Sequence, residues 1–413
     1  MTISHQDREI LRGLAAQVAE IAALPIQEET RNLWKALNGL KPIRPMVLID
    51  QIPWHEMDHE GELVLRTEDE FCGNLETELR RRLYTWKHMR ADMVMEPFLD
   101  LPKVIRGADF GISAKEELAV TDPRNDVVGH RYFDQLRSEE DLQKIRPPQV
   151  ILDVAATART EQIAQEIFDG LLSVRMHGIF PWANLWDWII EWRGVEDVLL
   201  DLLDRPAFIH ALMMRITDFQ LDLVDQLEAL GLLGCGQTTI HCSGAYTDEL
   251  PAPGFDSAHP RAKDLWTCGM AQIFATVSPA MHQEFELDYA NRLYSRFGLV
   301  YYGCCEPLHA KIGIIDKIPH LRKISISPWA DVERSAREIG GRFVVSRKPN
   351  PAFLAGPSWD PGIAEADLRE TLRHCKLYGS PVEFILKDIS TVCYEPKRLW
   401  EWADLAMRIV TAG

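Results

Sequence analysis

Eight short apolar, β-branched runs, each leading into a longer charged stretch of helical period, constrain this chain more than any other feature. They are Met46-Val47-Leu48-Ile49, Met93-Val94-Met95, Leu171-Leu172-Ser173-Val174, Thr238-Thr239-Ile240, Leu299-Val300-Tyr301, Ile324-Ser325-Ile326, Phe343-Val344-Val345 and Val382-Glu383-Phe384-Ile385-Leu386. Strands buried on both faces read this way, and strands alternating with helix-sized segments build parallel sheets. Eight of them fit an α/β fold of the (β/α)8 TIM barrel type better than a doubly wound sheet. Residues 4–39 read as two helices, with Ser4 and Asp7 in capping-box spacing, Pro25 breaking the run, and Asn38-Gly39 ending the second. The expected organisation is an N-terminal helical extension over residues 1–42 and a barrel over residues 43–413. The longest gap between runs, residues 97–170, is polar and proline-marked and reads as a long loop insertion over the barrel mouth.

The 413 residues carry a formal charge of -17, which repels phosphate backbones and anionic lipid, so neither nucleic acid nor a membrane surface is an expected partner. No stretch approaches the roughly 18 uncharged apolar residues of a spanning helix. Asp7, Arg8, Glu9 and Arg12 stand where a signal peptide needs an apolar core, and the expected location is cytoplasmic. Eight cysteines are too few for a disulfide scaffold in a chain this long, so they read as thiols or metal ligands.

Barrel enzymes keep their chemistry at the C-terminal ends of the strands. Here those ends carry Asp50-Gln51, Glu96, His177, His241-Cys242, Cys304-Cys305-Glu306, Ser327, Ser346-Arg347-Lys348 and Lys387-Asp388, with Cys393 soon after the last. Two thiolates from different strand ends, joined by a His, Glu or third Cys, would leave zinc an open fourth position, the catalytic pattern. Cys304, Cys305, Cys393, Glu306 and Cys242 are the candidate ligands, and ordinary reduced core thiols are the alternative. Successive strand side chains face opposite ways, so one of Cys304 and Cys305 is expected in the core, and only one of His241 and Cys242 at the mouth. Cys72, Cys235, Cys268 and Cys375 read as structural cysteines in loops or helices. Asp50, Glu96, His177 and His241 are candidate catalytic groups, as are His55 and Glu56 beyond the first run. Trp54 and Trp182 are candidate substrate contacts, and the run Phe180–Trp192 places too many tryptophans for one helical face. No GxGxxG after a strand, GxxxxGK[ST], GxSxG or HExxH is present, which removes the usual support for nucleotide-dependent, serine-hydrolase and zincin readings.

Several stretches together resemble the uroporphyrinogen decarboxylase superfamily: Gly236-Gln237-Thr238-Thr239-Ile240-His241-Cys242-Ser243-Gly244, Tyr302-Gly303-Cys304-Cys305-Glu306-Pro307, Ile324-Ser325-Ile326-Ser327, Phe343–Pro351, and Ile385-Leu386-Lys387-Asp388 to Cys393. The superfamily contains the decarboxylase and the corrinoid-linked methyltransferases, and its members resemble one another as (β/α)8 barrels. The methyltransferase branch carries zinc on a His-x-Cys pair at one strand end and a Cys after the final strand. At the pair this chain reads Tyr302-Gly303-Cys304 or Gly303-Cys304-Cys305, matching a cysteine but no histidine, and Cys393 matches the distal cysteine. Glu306, His241 or Cys242 would complete the set. The decarboxylase's N-terminal arginine signature is not seen in Val47–Pro53.

The resemblance implies a methyltransferase, the demethylating component of a corrinoid system. Zinc would act as Lewis acid on the atom bearing the methyl group while cob(I)alamin on a partner corrinoid protein takes the methyl. The tryptophans suit a methoxylated aromatic, hence O-demethylation of a small-molecule donor. A homodimer is among the expected assemblies. The competing expectation is a cofactor-free decarboxylase or lyase, with Arg347 and Lys348 gripping carboxylates and Asp50 holding a protonated intermediate. A binding protein that kept the fold without the chemistry is a third.

Overall fold

The computed structural model describes residues 3–120, 123, 125 and 128–412. Its centre is a parallel six-stranded sheet. Among the described residues the strands in chain order are β1 (Met46–Ile49), β2 (Phe98–Pro102), β3 (Ile105–Arg106), β4 (Glu116–Ala119), β5 (Gly129–Tyr132), β6 (Ile151–Leu152), β7 (Ser173–His177), β8 (Thr239–Ile240), β9 (Ser243–Gly244), β10 (Trp266–Gly269), β11 (Leu299–Tyr302), β12 (Leu321–Ile326), β13 (Val344–Arg347) and β14 (Val382–Leu386). The sheet runs β1-β14-β13-β12-β11-β10, and β2 pairs in parallel with β7 beside it. Short antiparallel pairs β3·β6, β4·β5 and β8·β9 lie in the connections.

Both faces of the six-stranded sheet are covered, and they differ. Val300, Tyr302, Ile324, Ile326 and Val345 pack into the largest apolar cluster with Leu212, Ile216 and Ile339 from the surrounding helices. Register puts Cys268, Tyr301, Lys323 and Val344 in one row of the opposite face, and Ser325, Ser346, Glu383 and Met46 in the next. This second face is polar and dry: Lys323, Ser325, Ser346 and Glu383 are all fully buried. Lys323 Nζ lies 2.8 Å from Glu383 Oε2 and 2.6 Å from Ser243 Oγ, so the ammonium is compensated where it stands.

The N-terminal helices form as the capping residues predict. In α1 (His5–Ala22) the Ser4 hydroxyl accepts from the Asp7 N–H, and α2 (Pro25–Asn38) starts on Pro25. They are part of the core. Leu11, Ala15 and Val18 of α1 pack against Leu75 and Leu79 of α3 (Glu70–His88) and Ala164 and Ile167 of α4 (Val154–Phe168). Trp34 of α2 reaches the polar face, with Lys323 Nζ 5.3 Å from its ring centroid and its Nε1 donating to Asp92 O. The ring fills the space beside Gly244, where a Cβ would come within 2.6 Å of it.

Sequence and structure part at three places. Met93-Val94-Met95 is not a strand, and the extended segment begins five residues later at Phe98. Thr239-Ile240 forms a two-residue antiparallel hairpin with Ser243-Gly244. Trp266–Gly269, with Cys268 inside it, supplies the edge strand of the sheet, where the sequence suggested a loop or helix for that cysteine. The stretch 97–170 holds β2 to β6 and α4, while its residues 121, 122, 124, 126 and 127 lie outside the described residues. Its β5 end meets α5 (Leu185–Arg193) through a Gln135 N–H to Trp192 O hydrogen bond.

Removing one charge of the buried pair leaves the other without compensation, at a cost of about 3–5 kcal/mol. Lys323→Met is therefore expected to lower unfolding stability by that much in urea titrations. Adding Glu383→Leu is expected to restore most of it, and a single variant as stable as wild type would show that the pair carries no net energy.

Candidate active site

The C-terminal ends of the central strands gather an unusual amount of backbone in the left-handed region. Gln51, His241, Asp388, Cys393 and Tyr394 all have φ between 50° and 57°. Non-glycine residues rarely hold this conformation, and a concentration of them marks places where surrounding structure over-determines the chain. Gly303, at φ 93°, opens the turn after β11, and a Cβ there would meet Leu308 at 2.5 Å. This turn sends Cys304 and Cys305 over the end of the sheet.

Cys304 is the electrostatic centre of this edge. Lys387 Nζ, from the residue after β14, donates to its sulfur at 3.2 Å, the Cys305 sulfur lies 3.4 Å away, and the His241 ring is close enough to act on its charge. These contacts outweigh burial and hold the Cys304 thiol well below the ordinary range, with the hydrogen bond from Cys305 leading, then His241 and the Lys387 charge. Cys305 shifts the opposite way, since one proton shared by two adjacent sulfurs cannot leave both. Burial works against the Lys387 charge, but Cys304 leads a set of nearby anions that raises its pKa overall. Cys305 also lies 3.3 Å from Asp388 Oδ2, which in turn is 3.0 Å from Lys387 Nζ.

Three groups surround this pair. His241 stacks on Tyr301 at 5.0 Å with the planes 14° apart, lies 5.9 Å from Trp182, and is pushed down in pKa chiefly by burial. Its Nδ1 is buried without a partner. Beneath, Lys348 Nζ donates to Tyr301 Oη at 2.6 Å and Ser346 Oγ at 2.8 Å, with burial lowering its pKa. On the α5 side, burial and then the Cys304 charge raise the Asp187 carboxyl to about 6, with Gln272 Nε2 at 3.5 Å.

A cavity of about 180 Å3 opens beside His241, lined by Asp100, His177, Phe180, Trp182, Gln237 and Thr239 among others. A site of about 150 Å3 is enough for a benzene ring. His177 turns its Nδ1 to Gly178 O at 2.7 Å and lies 5.5 Å from Phe180.

The remaining expected residues fall in different places. Asp50 follows β1 and lies near Cys242, whose thiol is pushed up by burial first and by the Asp50 charge second. Glu306 turns away from the sulfurs and accepts from the Cys304 and Ala271 N–H groups, with burial raising its carboxyl to about 7. Cys393 points to the backbone carbonyls of Ala355 at 3.4 Å and Gly356 at 3.7 Å. Glu96 is held by Arg31 at 3.1 Å and by Tyr246 Oη at 2.7 Å. Trp54 lies under Arg81 and edge-on to Tyr84. Arg347 is committed to Asp367 and to Ser327 O. Glu56 is a clamp: its carboxyl accepts from the Val392 and Tyr394 N–H groups and the Thr391 hydroxyl. His55 lies beside it, edge-on to Tyr394.

The structure thus brings together Cys304, Cys305, His241 and Lys348 and leaves Cys393, Glu96, Trp54 and Arg347 elsewhere. Lys387, Asp187 and Tyr301 join the site without having been singled out. Lys387-Asp388 at a strand end was the available signal for the first, and Asp187 sits in the tryptophan-rich run. The donor set expected for zinc does not fit the metal as it stands. Among the described residues no three His, Cys, Asp or Glu side chains converge as a metal-holding group. The cation placed against Cys304 is the Lys387 ammonium.

No family model matches the sequence, and no curated protein matches it. Among solved structures, a methyltransferase from Methanosarcina mazei is similar over 92% of this chain and 98% of its own, at 12% identity and a TM-score of 0.49. At that distance the activity has to be read from the site itself.

If Lys387 holds the Cys304 thiolate, alkylation of Cys304 by iodoacetamide stays fast as pH falls from 8 to 5. In Lys387→Met the rate is expected to fall with pH over the same range, because the thiolate is the reacting form. Peptide mapping of the alkylated cysteine provides the measurement, and parallel profiles for both proteins would remove Lys387 from this role.

Proposed function

We propose that the chain is a methyltransferase that passes a methyl group from a small methylated donor, a methoxylated aromatic ring, to the cob(I)alamin of a partner corrinoid protein. The observation that carries the reading is the polarised group around Cys304 at the strand ends, next to a ring-sized cavity walled by Phe180, Trp182 and His241. Of the stretches that resemble the superfamily, those carrying His241, Cys304 and Lys387 meet at this same edge, while Cys393 does not. We propose also that the central sheet belongs to a (β/α)8 barrel. The parallel pair β2·β7 and the parallel bridges Ile179–Leu233 and Ala183–Gly269 support this, since they lead from β7 back to β10.

In this reading the aromatic walls orient the ring and exclude water, as a largely apolar pocket with few polar groups does. The bond between methyl carbon and ether oxygen breaks with its electron pair on oxygen, and the methyl goes to the acceptor carried by the partner. Asp187, neutral below about pH 6, supplies the proton that the departing oxygen takes up. Cys304, Lys387 and His241 set the field in which this charge develops. Zinc was expected from the resemblance, but the donor set does not assemble around it and no step is assigned to it. Arg347, tied to Asp367, is not available to grip a carboxylate as the decarboxylase reading requires.

The test is formation of methylcobalamin from a methoxyphenol and a reduced corrinoid protein, followed by absorbance. Asp187→Asn is expected to lower the rate by about 10²-fold or more, in the range of lost general-acid catalysis. The wild-type rate is expected to fall as pH rises through about 6, because the acid form is then lost, and the variant should lack that limb. Release of carbon dioxide from a carboxylated substrate, without methyl transfer, would replace this reading with the decarboxylase.

A further inference from the structure

The adjacent thiols Cys304 and Cys305 have a geometry that methyl transfer does not require. Their sulfurs are 3.4 Å apart, on neighbouring residues after a glycine with φ 93°. Cys304 is buried, and Cys305 beside it is half-buried and borders the half-exposed Asp388, so a small solute approaches the pair from the Cys305 side. Lys387 Nζ reaches both sulfurs, at 3.2 and 3.9 Å. A cation beside two sulfurs favours the thiolate that attacks an oxidant, and a neighbouring thiol is what resolves the product. Among the described residues no other cysteine has a second sulfur within hydrogen-bonding distance, and Cys393 turns to backbone carbonyls.

We propose that Cys304 and Cys305 form a reversible redox dithiol that a hydroperoxide closes into a disulfide between adjacent residues. The Cys304 sulfur attacks the hydroperoxide oxygen, the O–O bond breaks, and the leaving oxygen takes a proton and departs as water or alcohol. Cys304 is then a sulfenic acid. The Cys305 sulfur attacks it, the S–O bond breaks, and the hydroxyl leaves as water with the Cys305 proton. The two sulfurs lose two electrons together and the hydroperoxide gains them. Successive Cα atoms lie about 3.8 Å apart across a trans peptide, below the 4.4–6.8 Å usual for a disulfide, so the bond is strained and easily reduced. Strained disulfides are the labile kind, so a small dithiol returns the pair to its starting state. Closure takes the anionic sulfur away from Lys387 and discharges the centre of the site. The proposal does not depend on which reaction the site performs.

The experiment is intact-mass and peptide analysis of the full chain after about one equivalent of hydrogen peroxide. The expected result is a loss of about 2 Da mapped to a peptide linking Cys304 to Cys305, restored by dithiothreitol. In Cys305→Ser the 2 Da loss is expected to vanish, and a sulfenic acid on Cys304 should be trapped by dimedone. Unchanged mass, a gain of about 32 Da on Cys304 alone, or a 2 Da loss that persists in Cys305→Ser would each overturn the proposal. Circular dichroism of Cys305→Ser keeps a folding failure apart from a chemical one. Methyl transfer, assayed separately, is not part of either outcome.

Discussion

Three lysines on the inner face of the central sheet cannot reach water, and the way each is compensated sets the character of its level. Lys323 is paired with Glu383 and is structural. Lys348 meets two hydroxyls, from Tyr301 and Ser346, and among the described residues no carboxylate stands within bonding distance of it. Lys387 meets a sulfur and a half-exposed carboxyl. Lys323 and Lys387 thus each face an anionic partner while Lys348 between them meets hydroxyls alone, and it is the partner of Lys387 that is open to solvent. A buried ion that is fully paired rigidifies its surroundings, and one compensated by a reactive partner makes that partner an anion at neutral pH.

The strained backbone belongs to the same argument. His241, Asp388, Cys393 and Tyr394 hold left-handed conformations, each costing of order 1–3 kcal/mol. Such residues persist only where other contacts fix them, and here the contacts are visible. Glu56 takes two N–H groups and a hydroxyl from Thr391, Val392 and Tyr394, and Gln51 Oε1 accepts from the Asp388 N–H. His241 is held between Trp182 and Tyr301. The left-handed turn at His241 goes with an imidazole laid over the Tyr301 ring, close to Cys304. The buried carboxyl of Glu56, suggestive of an acid or base in the sequence, serves this positioning.

Runs of apolar residues long enough to be buried on both faces were legible without coordinates, which is why β1, β11, β12, β13 and β14 fall where the sequence puts them. Trp266–Gly269 escaped because it mixes a threonine, a cysteine and a glycine over four residues. Its strand character comes from pairing with β11, a tertiary fact. Met93–Met95 misled for the opposite reason, being apolar but held as a loop, with the Met95 N–H bonded to the Gln27 side chain. The site divides along the same line. Cys304, Cys305 and His241 are chemically conspicuous and adjacent to strands, so residue type located them. Whether Cys393 or Lys387 faces the sulfurs depends on the turn after β14, and sequence spacing carries no such direction.

That direction decides what kind of site this is. A lysine facing Cys304 supplies one positive charge and hydrogen bonds with fixed reach, so it stabilises an anion without offering an open coordination position. Asp187, on α5, is instead kept protonated to about pH 6 by burial and by the very thiolate that Cys305, His241 and Lys387 sustain. The two effects are coupled. Discharging Cys304 removes one cause of the raised Asp187 pKa, so a change at the sulfur is felt by a carboxyl on a different element. An arrangement in which one anion tunes the acid across from it separates the protonation states of neighbouring groups, which is the physical requirement for acid chemistry near neutral pH.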